Sequence, residues 1–138
     1  MTLVDGPALN PAAHLAFAKG NAAITLGSTI YFRHGLRPDF AAAEKDRRLF
    51  MHEMAHVWQY QKLGRARFLL RYAREFAAVG GKASRMYAYR PGQTRFASAM
   101  LEAQAEMVAD HAEAVWTRHG QRTELLAANL AGSGIGGL

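Results

Sequence analysis

Between Leu49 and Trp58 the chain is apolar around nearly the whole circumference of a helix, interrupted only by His52, Glu53 and His56. A helix apolar on all sides has to be buried, and buried polar groups need partners. Whatever this chain folds into must therefore satisfy two imidazoles and a carboxylate inside the protein. Residues four apart on a helix stack on one face, so both histidines can reach the same divalent ion. Glu53 lies about 100° further round, near enough to touch a water on that ion without ligating it. His52-Glu53-Met54-Ala55-His56 is an HExxH run, the arrangement a hydrolytic zinc site needs.

The 138 residues suit one domain with a real core, and half of them are apolar. There is no cysteine, which excludes disulfides and thiolate ligands and leaves His and carboxylates to hold any metal. Met1–Asn10 has neither a basic start nor a long apolar run, so no secretory signal is visible. No stretch approaches the roughly 18 apolar residues of a membrane span. The expected location is the cytoplasm, with non-classical export as the route to any action outside the cell. The formal charge is +6, and nine Lys and Arg residues between Lys62 and Arg95 are opposed only by Glu75. Such a stretch can attract nucleic acid or anionic lipid. The preferred reading is an ordinary surface helix, with Arg67, Arg71 and Arg74 on one face and Leu69, Tyr72, Ala73 and Phe76 opposite. No nucleic-acid motif is present, and no nucleic-acid partner is expected.

Along the chain, residues 1–20 read as an N-terminal extension with a short helix near Ala12–Lys19. Two β-prone runs, 22–26 and 29–32, flank Gly27-Ser28 as a hairpin or as one strand bent at a bulge. A helix follows from about Phe40 to Gly64, then a basic one to Val79, stopped by Gly80-Gly81. A long helix is expected from near Ser98 to His119, ended by Gly120, and a short one over Glu124–Leu130. Residues 131–138, rich in glycine, read as a flexible tail. The fold class is mainly α with a small β-hairpin or edge strand (α+β), in a single domain over 1–138.

Two histidines do not complete a catalytic zinc site, which takes three protein ligands and keeps one position open. Gln59 and Lys62 stand where an HExxHxxGxxH motif has its glycine and third histidine, so that type is excluded. The remaining common solution is a glutamate from another helix. On a helical wheel Leu101, Ala105, Val108, Ala112 and Val115 form a core stripe, with Glu102 and Glu106 along one margin. Ala105 and Ala109 beside them are small enough for a close helix approach. Glu102-x-x-Ala105-Glu106 resembles the ExxA(D/E) element of gluzincin peptidases, where the first acid ligates and the second supports the site. Glu106-x-x-Ala109-Asp110 fits the same element one turn later, so the pattern alone does not choose. Glu102 is preferred as the ligand, with Glu106 as its supporting partner or the alternative ligand.

The chain also resembles a family of small bacterial zincin-like proteins, often labelled Vgr-related and akin to core domains found with contractile injection systems. The resemblance runs through the strand region Ile24–Phe32, Asp39-Phe40 and Leu49–Gln59, and closes on Glu102–Glu106. It covers roughly residues 22–112. Ala55 stands where the family has Thr and Ser28 where it has Asn; neither is a proposed ligand. The resemblance implies a minimal zincin-like metallopeptidase fold, an edge strand in the 22–32 region to pair with an extended substrate, and a secretion-system partner.

The main expectation is a zinc-dependent metallopeptidase acting on a peptide or protein. Zn2+ on His52, His56 and Glu102 would activate water, with Glu53 as general base. Tyr87, Tyr89 and His111 are candidates for a second electrophile. The alternative is a catalytically silent zinc-binding domain that binds partners or helps a secretion system assemble.

Overall fold

The computed structural model describes residues 1–138. It is mainly helical, with a small three-stranded sheet beside five helices. Strands β1 (Thr2–Asp5), β2 (Ala23–Leu26) and β3 (Thr29–Phe32) lie in the order β1-β3-β2. β2 and β3 form an antiparallel hairpin that pairs Leu26 with Thr29. Gly27 opens its two-residue turn at φ 67°, a conformation that costs glycine little. β1 pairs in parallel with β3, Thr2 opposite Thr29. The first twenty residues are thus part of the domain rather than an extension: Thr2-Leu3-Val4-Asp5 is too short a run to declare itself a strand, and its partner is distant in sequence. Between β1 and β2 lies α1 (Pro11–Ala18), capped by Asn10, whose side chain accepts from the Ala12 and Ala13 N–H groups.

The central helix α2 (Glu44–Leu63) begins with Glu44 and Asp46 in its first turn, where acidic groups suit the helix dipole. It ends at Gly64, whose positive φ of 77° breaks the chain into α3 (Arg65–Ala78). One side of α2 faces the sheet, where Val57 packs with Ile30 and Phe32 and the rings of Phe40 and Phe50 stack beside them. The other side packs on α4 (Leu101–Trp116), with Ala55 in one cluster with Ala103, Ala105, Met107 and Val108. α5 (Gly120–Leu130) closes the far side of α4.

The long last helix is shorter than its sequence pattern suggests, and Gly120 opens α5 rather than only ending α4. The start of α4 is set from outside: the Glu75 carboxylate accepts from the Leu101 N–H at 2.7 Å, while Arg71 donates to Ala99 O at 2.7 Å. The expected core stripe holds for Leu101, Ala105 and Val108, but in the last turn of α4 the buried residue is Ala114 and Val115 is exposed. The tail folds back in a short 3-10 turn over Ile135–Gly137, and Ile135 and Leu138 pack on the main core. No helix is long and apolar enough to cross a membrane.

Asn129, almost fully buried, ties α5 to the loop before α4: its amide donates to Arg90 O and Thr94 O and accepts from the Gly92 N–H. Asn129→Ala leaves three backbone groups without their partner. It is expected to lower stability by about 1–3 kcal/mol in denaturant unfolding; a neutral variant would show that this loop is fixed by other contacts.

Candidate metal centre

α2 and α4 bring three donors to one point. The Nε2 atoms of His52 and His56 lie 3.1 Å apart, and each lies 3.2 Å from Oε2 of Glu102. All three residues are buried and form a cluster able to hold a metal ion. The geometry fits one. A tetrahedral zinc with bonds of about 2.0–2.1 Å has its ligand atoms about 3.3 Å apart, close to the edges of this triangle. The donor set, two imidazoles and one carboxylate, is also one that zinc accepts.

The two imidazoles meet different groups at their other nitrogens. His56 Nδ1 lies 2.8 Å from Gln59 Oε1. The Gln59 amide nitrogen donates to Leu101 O at 2.9 Å and to Gln104 Oε1 at 3.0 Å, and Gln104 donates in turn to Phe96 O at 2.7 Å. With its donors committed, Gln59 offers His56 only an acceptor. The His56 proton is thereby placed on Nδ1 and the Nε2 lone pair faces Glu102. His52 Nδ1 instead lies 2.9 Å from Glu106 Oε1, in an oblique contact that leaves this buried nitrogen without a well-aligned partner. Arg48 holds the other Glu106 oxygen and reaches Asp110 at 2.8 Å; Tyr89 donates to Asp110 as well. Glu106 therefore contacts the back of His52, and Glu102 sits among the donors.

The electrostatics follow from burial and close charge. Burial alone would lower the His52 pKa, but the contacts with Glu102 and Glu106 outweigh it and push it up to about 9. Burial would raise Glu102, yet the two histidines hold its carboxyl well below the usual range. His52 and Arg48 likewise overcome burial and lower Glu106.

The donors open onto a cavity of about 250 Å³ whose walls include Thr25, Leu26, Phe68, Leu69 and Tyr72. Glu53 also lines it, and Thr25 of β2 donates to Glu53 Oε2 at 2.7 Å. Of the three electrophile candidates, Tyr87 lies in this cavity with its ring stacked on His52 at 5.9 Å. Tyr89 is committed to Asp110, and His111 is not among the lining residues. Tyr72 reaches the same space from α3. Burial, and then the Glu102 charge, push both the Tyr72 and the Tyr87 hydroxyls above their ordinary range. The pattern of the sequence did not mark Thr25, Gln104, Arg48 or Tyr72; Gln59 stood out only as a departure from a longer motif.

Residues 6–64 match the family model described as the eCIS core domain, a little under half of the chain, ending with the last turn of α2. No curated protein and no solved structure matches the chain. The match takes in His52, Glu53 and His56 and stops before α4, so it does not reach Glu102.

Two outcomes are expected. His52→Ala and Glu102→Ala each lose stoichiometric zinc, whereas Glu106→Gln keeps it with affinity reduced about 10–100-fold; zinc lost from Glu106→Gln alone would exchange the roles of the two acids. The second concerns pH. In metal-free protein, His52 contributes stability that is complete below pH 6.5 and lost as pH rises through about 9. Metal binding requires the neutral ring and gains over the same interval. The difference in Tm between zinc-saturated and chelator-treated protein should therefore widen from pH 6.5 to 9; a narrowing gap contradicts a proton held between His52 and the acids.

Proposed function

We propose that the chain is a zinc-binding domain working in or with a contractile injection system, its metal held by His52, His56 and Glu102. The near-equilateral triangle of donors carries the metal half of this reading. The eCIS core match over residues 6–64 supports the injection-system half, as a role in partner binding or assembly of the particle. Zinc bridging α2 and α4 would lock the pair of helices on which the rest of the domain is built, since folding free energy and metal binding are linked.

A second reading, peptide-bond hydrolysis at the same centre, is favoured by Glu53. Its carboxylate lines the cavity and is fixed through one oxygen by Thr25, which leaves the other free to take a proton. A bound zinc would supply a water acidified towards neutrality and a Lewis acid for a carbonyl oxygen. Glu53 would accept the proton from that water and return it to the leaving amine. Gln59 would keep the His56 ring oriented throughout, and the Glu106 charge would sit behind His52. β2 is an edge strand that borders the cavity, so an extended peptide can add to it by backbone pairing. Tyr87 and Tyr72 line the same cavity as Glu102 and stay protonated, and they would donate to an oxyanion.

Glu53→Gln separates the readings. Under hydrolysis the variant retains zinc but loses about 10²–10⁴-fold in kcat/KM on a peptide library, and it fails wherever the wild type is required. Under the binding reading it supports particle assembly as well as wild type, while His52→Ala does not. Wild-type protein that carries one zinc and cleaves no peptide removes the hydrolytic reading.

A further inference from the structure

α3 departs from the expected surface helix in which side it buries. Phe68 is its only buried residue, and the strip facing the domain holds Phe68, Arg71, Tyr72 and Glu75. Arg71 and Glu75 point inward because they bind each other and the start of α4. That rotation turns the apolar side of the helix out. At about 100° per residue, Phe76, Leu69, Ala73, Ala66, Ala77 and Leu70 form one continuous stripe. All six are exposed, with Leu69 at 49%, Leu70 at 53% and Phe76 at 40%. Exposed Arg65 borders the stripe on one side, and exposed Arg67 and Arg74 on the other. The only acid of the helix, Glu75, is engaged on the inner strip.

We propose that this face of α3 docks onto an anionic lipid surface. A helix exposed over all but one narrow strip stands as a ridge, which suits a plane better than a partner helix that needs a groove. Phe and Leu enter the headgroup boundary while the flanking arginines reach the phosphates, as in interfacial amphipathic helices. A second copy is disfavoured: self-pairing sets arginine against arginine, with no free acid on the face to answer it. The cavity lies beside the stripe, because Leu69 belongs to both. Docking would hold the metal centre close to the lipid surface.

The test is co-sedimentation of the full chain with vesicles of phosphatidylcholine alone and of phosphatidylcholine with phosphatidylglycerol. Binding is expected only to the anionic vesicles, falling as salt rises. Arg67→Gln with Arg74→Gln should weaken it about 25-fold, from about five-fold per charge. Leu70→Ser with Phe76→Ser, changing a different property of the same face, should weaken it about ten-fold or more. Both variants alter exposed side chains, so zinc content and helicity should match wild type. No vesicle binding, equal binding to neutral vesicles, or binding unchanged in both variants would overturn the proposal. So would a concentration-dependent dimer abolished by the same substitutions, or an acidic protein that binds the face while anionic vesicles do not.

Discussion

Everything in this domain is arranged around the close packing of α2 on α4. Ala55, Ala103 and Ala105 lie in one cluster between the helices, so the backbones approach with little side-chain bulk to separate them. That approach brings a carboxylate from one helix to within 3.2 Å of two imidazoles on the other. Buried donors this close are costly unless something satisfies them together. Attraction between a protonated imidazole and the carboxylate does so in part, and it pushes His52 up and Glu102 down. A divalent cation does so more completely, because it meets three lone pairs at once.

The two imidazoles are not equivalent. His56 has a neutral amide behind it, locked by Gln104 and two backbone carbonyls. His52 has a carboxylate behind it, itself held by Arg48. A carboxylate makes the ring it contacts a stronger base than an amide does. The site thus pairs an imidazole backed by a fixed amide with one backed by a carboxylate, and the network behind His52 runs outward through Arg48 and Asp110 to Tyr89. This links the donors to the loop that Asn129 pins.

Some of this was written in the sequence. The helix apolar all round, broken by His52, Glu53 and His56, demanded partners for three polar groups, and the structure buries all three. The 3.6-residue period placed Glu102 and Glu106 on one margin of α4, so both acids had to lie near whatever α4 packed against. Gly27-Ser28 between β-prone runs allowed a hairpin or one bulged strand, and the structure has the hairpin. Which acid would lie between the two imidazoles was open, since two overlapping ExxA(D/E) matches differ by one turn; helix rotation within the pair decides that position, and sequence periodicity does not fix that rotation.

Local pattern alone determined that the helices form, that 22–32 is extended and that the histidines stack, because these depend on neighbours within a turn or two along the chain. Tertiary packing decided that Thr2–Asp5 becomes a strand, that Gln59 and Gln104 form a relay, and that Thr25 reaches Glu53. It also decided that α3 turns its arginine–glutamate pair inward and its leucines outward. Each of these joins residues far apart in sequence. The energy of a backbone ladder, a buried amide or an ion pair is gained only once both partners are in place, and no periodicity within a single segment records it.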